Sequence, residues 1–224
     1  MVAWEPVTLP FGKSGTFAVR RVFCVGRNYA EHAKEMGHSG REPPFFFGKA
    51  AEAITAAAEV PYPPATKDLH HEVELVVAIG REAAAIGADK VRSHIAGYAV
   101  GVDLTRRDLQ AEAKRLARPW YLAKSWVGAA PLGSLVPVEA AGHPRRGRIW
   151  LEVNGTVRQQ GDLAEMIWSV DEVLAALSAF DRLLPGDLVF TGTPAGVGPL
   201  VPGDRVRAAV DGVGELEFAV TGGT

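Results

Sequence analysis

Cysteine is nearly absent from this chain: a single thiol, Cys24, excludes an intrachain disulfide and a cysteine-rich zinc site. Its flanks, VFCVG, are apolar and place it in a core. No apolar run approaches the roughly 18–20 residues of a membrane-spanning helix. The opening MVAWEPVTLPFGKSG lacks the basic and apolar stretches of a secretion signal, so a soluble cytoplasmic protein is expected. Neither sign of charge dominates. With 24 basic and 26 acidic residues the formal net charge is -2, which gives no blanket field for nucleic acid or an anionic membrane. The sequence also has no GxGxxG, so a Rossmann domain fails, and its glycine-rich TGTPAGVG lacks the trailing Gly-Lys-Ser/Thr of a P-loop, which disfavours nucleotide binding. No internal repeat is visible.

What the chain does have is turn-formers, 25 glycines and 15 prolines in 224 residues. Long helices are therefore not the theme. The pattern predicts an α+β chain, rich in strands, with a few short helices. Residues 1–17 read as an N-terminal arm and 18–221 as one catalytic domain. AVRRVFCVG reads as a strand ending at Gly26. A short helix follows, with Asn28 as its cap, Glu31 three residues on and Gly37 as its stop. FFFGKA and HHEVELVVAIG read as strands, the second with the continuous apolar run of a buried one. REAAAIGADKVRSHI looks helical, and IAGYAVGVDLT is again a buried strand. TRRDLQAEAKRLARP is a helix with Thr105 as cap and Asp108 in its first turn. Asn154-Gly155 marks a two-residue hairpin. SVDEVLAALSAF is an amphipathic helix with a Ser169–Glu172 capping box.

Carboxylates carry the candidate chemistry. Glu72 and Glu74 lie two apart at the head of a strand and so share a face, and Asp103 follows another apolar strand. Three oxygen ligands with open positions suit Mg²⁺ or Mn²⁺ better than structural zinc. The plainer alternative is three solvated carboxylates at strand ends. His32 and Glu35, three apart on the short helix, face the same way and could form a base with its orienting carboxylate, or an ordinary surface contact. His70 and His71 could be ligands but fit better beside the site. Lys124 in WYLAKSW, Arg107 after Asp103, and Lys49 after FFFG are cations that could hold a substrate carboxylate, Lys124 otherwise being a snorkelling side chain. TGTPAGVG offers backbone N–H groups to an anion.

GRNYAEHAKEMG, HHEVEL, GVDLTRRDLQ, LAKS and FTGTPAGVG stand in the order found in the fumarylacetoacetate hydrolase family, which the chain resembles over about residues 20–220. REPPFFFGKAAEAI and GDLAEMIWSVDEV look most like its bacterial fumarylpyruvate-hydrolysing branch, in gentisate degradation. The resemblance implies a mixed β-roll of the family's C-terminal domain type, usually a homodimer acting on a small acylpyruvate. It implies Glu72, Glu74 and Asp103 as ligands for Mg²⁺ or Mn²⁺. It implies His32, Glu35 and Lys124 as catalytic groups, and Arg27, Tyr29, Arg107, Gln110 and Thr193 as substrate contacts. Family members commonly carry Lys-Pro where this chain has Lys49-Ala50. The activity implied is metal-dependent hydrolysis of fumarylpyruvate to fumarate and pyruvate. Other acylpyruvates, oxaloacetate decarboxylation, or a keto-acid-binding protein without turnover remain open.

Overall fold

The structure, a computed structural model, describes residues 5–35 and 41–223, with only the backbone of residues 33–35. The first two strands, β1 (Thr8–Phe11) and β2 (Gly15–Ala18), form a hairpin of their own. The strand expected over residues 18–26 is therefore shorter, β3 (Val22–Gly26). Helix α1 (Ala30–Glu35) leads to β4 (Phe45–Lys49), and the stop expected at Gly37 lies outside the described residues. Short strands β5 (Ile54–Thr55), β6 (Glu59–Pro61) and β7 (Leu69–His71) precede β8 (Val73–Ile79) and β9 (Ile95–Val102). Next come β10 (Thr105–Arg106), α2 (Arg107–Arg115), α3 (Tyr121–Lys124), β11 (Ala130–Pro131), β12 (Val136–Pro137) and α4 (Val138–Ala141). The chain ends with β13 (Arg148–Val153), β14 (Thr156–Asp162), α5 (Val170–Phe180), β15 (Leu188–Phe190), β16 (Gly198–Leu200), β17 (Arg205–Val210) and β18 (Gly214–Thr221).

Two sheets dominate, a six-stranded one in the order β12-β9-β8-β15-β3-β4 and a five-stranded one in the order β14-β13-β17-β18-β6. Both are mixed: β15 runs parallel to β3 and β18 parallel to β6, while their other pairings are antiparallel. The second sheet packs through β13, β17 and β18 on β8 and β9. Strand β8 is buried on both faces, which is why its sequence is a continuous apolar run. Val73, Leu75, Val77 and Ile79 join the core between the sheets, while Val76 and Ala78 join a second core with Cys24, Leu132 and Phe190.

Local signals held where neighbours in sequence decide the structure. Asn154 and Gly155 both have positive φ, +53° and +77°, and close the β13–β14 hairpin in a tight two-residue turn. Ser169 and Glu172 form the full capping box of α5. The helix expected over residues 81–95 is absent apart from a 3₁₀ turn at Val91–His94. There the backbone is drawn away: Ala83 exchanges two hydrogen bonds with Leu183, and Ala85, at φ +47°, donates to Ser178.

Candidate active site

Sheet register gathers the candidate residues at one edge. Because β8 is antiparallel to both β9 and β15, and β3 is parallel to β15, the start of β8 lies beside the ends of the other three. Val73 pairs with Val102, so the next step of the ladder brings Asp103 N–H onto the Glu72 carbonyl at 2.8 Å. Phe190 pairs with Val76, and the turn after it brings the Gly192 N–H to Glu74 Oε2 at 2.6 Å. Gly192 has φ +100°, and a Cβ there would fall 2.6 Å from that of Asn28, so only glycine fits.

Glu72, Glu74 and Asp103 are buried and each turns one oxygen into a cluster whose atoms lie within 4.8 Å of one another. Lys124 Nζ donates to Glu72 Oε2 at 2.7 Å, Asp103 Oδ2 at 2.8 Å and Thr105 Oγ1 at 2.7 Å. Thr105, expected as a helix cap, is thus part of the site, and α2 begins without a side-chain cap. Arg107 closes on Glu72 Oε1 at 2.5 Å and is itself oriented by Gln110 at 2.7 Å. Lys49 Nζ lies 2.7 Å from Asp103 Oδ1. Its three protons go to the carbonyls of Leu104, Lys124 and Ala129, leaving that carboxylate oxygen without a directed hydrogen bond. Ala50, which follows it, donates its N–H to Ser125 Oγ at 2.9 Å, a bond proline could not make.

The charges are strongly interdependent. Burial would raise the Glu72 carboxyl, but Lys124, Arg107 and then His32 hold it well below the usual carboxylate range. Burial, followed by repulsion from Asp103 and Glu72, pushes Glu74 well above that range. Burial works against the charge of Lys124, yet Asp103 and Glu72 raise it overall. A carboxylate that resists ionising beside two others, and an Asp103 oxygen lacking a donor, are what a divalent cation would relieve. The oxygen-only donor set fits Mg²⁺ or Mn²⁺.

The pocket above this cluster is small, about 30 Å³, and His32, Arg27, Arg107, Gln110, Lys114, Lys124 and Thr193 line it with the two glutamates. The side chain of Glu35 lies outside the described residues. Tyr29 borders instead a neighbouring cavity of about 410 Å³, with Glu31, Gln160, Glu165 and Pro194. Asn28, expected as a helix cap, bonds outward from the helix: its amide donates to the Trp168 and Thr191 carbonyls and accepts from Trp168 N–H.

Gln159, unmarked in the sequence, ties two walls together. Its carbonyl accepts from Val73 N–H at 3.1 Å and faces His71 Nδ1 at 2.9 Å. Its amide donates to Thr193 Oγ1 at 2.8 Å and to the Pro194 carbonyl at 2.9 Å. Replacing it with leucine strands these groups in a dry interior. A loss on the order of 1–3 kcal/mol is expected, read as a lower urea midpoint at unchanged slope.

A mixed β-roll carrying a buried acidic triad with a lysine at its centre defines a class, and comparison with known proteins agrees. Residues 21–221 match the model described as Fumarylacetoacetate (FAA) hydrolase C-terminal, and the chain belongs to that family. It is similar to a crystal structure of fumarylpyruvate hydrolase from Pseudomonas aeruginosa in complex with Mn²⁺ and pyruvate, at 48% identity and TM-score 0.96 over 99% of this chain and 98% of that one. A proposed fumarylpyruvate hydrolase from Burkholderia cenocepacia is 56% identical, with TM-score 0.94 over 100% and 98% of the two chains. The mitochondrial oxaloacetate tautomerase FAHD1 of Mus musculus is 41% identical over 90% of this chain and 91% of its own. Among the described residues no helix is long and apolar enough to cross a membrane.

Proposed function

We propose that the chain is a divalent-metal-dependent acylpyruvate hydrolase that cleaves fumarylpyruvate to fumarate and pyruvate. The observation that carries this reading is the buried Glu72–Glu74–Asp103 triad sharing one pocket with Lys124 and His32. The three carboxylates would hold the cation. When bound, it supplies Lewis acidity for a 2-oxo acid's paired oxygens. Arg107, steadied by Gln110, holds carboxylate charge in the pocket. Thr193 Oγ1 already accepts from Gln159, so its own proton is free to donate to a substrate oxygen.

His32, three residues before Glu35 in the sequence, takes a proton from water, whose oxygen bonds to the 4-oxo carbon. The bond between carbons 3 and 4 then breaks, carbon 4 leaving as the new carboxylate of fumarate. The electron pair passes into the pyruvate enolate. Lys124 stabilises that charge as it develops, from a dry position fixed by three acceptors. The imidazolium returns its proton to carbon 3, giving pyruvate. Tyr29 takes no part in this scheme.

The oxaloacetate tautomerase relative motivates a second reading, enolisation of oxaloacetate without cleavage, which needs no attacking water. The test is a product assay across fumarylpyruvate, maleylpyruvate, acetylpyruvate and oxaloacetate. Fumarate and pyruvate should form only with Mn²⁺ or Mg²⁺ present, stop on chelation and resume when metal is returned. Turnover of oxaloacetate alone would overturn hydrolysis.

A further inference from the structure

Two cations in the pocket, Lys114 and Arg27, have no ion pair among the described residues. Helix α2 places Arg107, Gln110 and Lys114 at positions i, i+3 and i+7, one stripe facing the site. Arg107 and Gln110 serve Glu72, but Lys114, about 10 Å further along the axis by helix rise, forms no ion pair among the described residues. Its Nζ rests 5.1 Å over the Trp120 ring. Trp120 packs edge-on against Phe45 at 5.6 Å, and the Arg27 guanidinium lies 5.2 Å over Phe45. Arg27 Nε is buried with no hydrogen-bond partner among the described residues. The residue is held at φ +58°, an uncommon backbone conformation for a non-glycine side chain.

Two aromatic faces therefore hold two like charges that line one pocket. The cost shows in Lys114, whose ammonium is pushed down to about 8 by burial, then by Arg107 and Arg27. An arrangement that concentrates unpaired positive charge is complementary to an anion. The triad end of the pocket has its own cations already committed to Glu72 and Asp103.

We propose that Lys114 and Arg27 form a second carboxylate subsite, nearer solvent than the triad, that selects acylpyruvates whose acyl end bears a carboxylate. The proposal rests on the acylpyruvate reading and assigns the residues that recognise its acyl end. A substrate with a carboxylate at each end would lie along α2, its oxo acid end toward the triad and its other end between Lys114 and Arg27.

The experiment compares fumarylpyruvate with crotonylpyruvate, in which a methyl replaces the distal carboxylate, using the Mn²⁺-loaded protein. Lys114→Met should lower kcat/KM for fumarylpyruvate about 10–100-fold, the value of one charge-assisted bond, through KM. It should also collapse the preference over crotonylpyruvate, and Lys114→Arg should restore most of it. Calorimetric binding of fumarate against crotonate gives a readout independent of turnover: fumarate should bind more tightly, and K114M should erase the difference. An equal fall for both substrates, or an undiminished preference, overturns the subsite. A wild-type protein that cleaves neither acylpyruvate overturns the hydrolase reading, and the subsite then stands or falls on fumarate against crotonate alone.

Discussion

His32→Ala is expected to lower kcat for fumarylpyruvate about 10²–10⁴-fold, the usual contribution of a positioned general base, while leaving Mn²⁺ affinity nearly unchanged. The two effects separate because His32 lines the pocket yet is no member of the carboxylate cluster. Its imidazole sits close enough to Glu72 to help hold that carboxylate ionised, so a modest weakening of metal binding is the most that should appear. Steady-state turnover and a metal titration on the same preparation decide it. Turnover within a fewfold of wild type would place water activation elsewhere and favour enolisation, which has no attacking water. Loss of metal binding together with turnover would make His32 a ligand rather than a base.

The parts of the site legible in sequence are those announced by local contrast. Glu72, Glu74 and Asp103 stand out because charge abuts long apolar strands, and antiparallel register does the rest. Even there one detail escaped the pattern: the strand breaks at Glu72, between β7 and β8, so the two glutamates do not share a continuous strand. The hairpin at Asn154-Gly155 and the capping box at Ser169 were legible because their partners are two or three residues away. Thr105 was misread because its partner, Lys124, lies on a different element, and a buried ammonium with two carboxylates still needs a third acceptor. Residues 81–95 carry helix-forming alanines, but Leu183 and Ser178 offer the backbone better partners from a distance. Gln159 is one of two adjacent glutamines on a hairpin strand, and the packing of the sheets decides which one turns inward. Lys114 was within reach, since it continues the helical stripe of Arg107 and Gln110.

Asp103→Asn should be the most damaging single change, through stability as well as chemistry. The Asp103 side chain is fully buried and faces two ammonium groups, Lys49 at 2.7 Å and Lys124 at 2.8 Å. Lys49 is equally buried and has no other carboxylate partner among the described residues, so it would be left held by carbonyl dipoles and the face of Trp126. Breaking a buried pair on one side costs roughly 3–5 kcal/mol. The amide's own oxygen can still accept one bond, which places the expected loss toward the lower end. Metal affinity should fall by more than the 10–100-fold typical of losing a supporting partner, because a ligand oxygen itself is neutralised. The two losses can be read apart, the first as a lower unfolding midpoint without metal, the second as a weaker Mn²⁺ titration. Lys124→Met sharpens the comparison. It removes the cation and leaves the triad's like charges opposed, so the metal-free protein should be destabilised while added Mn²⁺ restores much of the loss. D103N should gain far less from Mn²⁺. Equal rescue of both variants would mean that the cation is not held by Asp103.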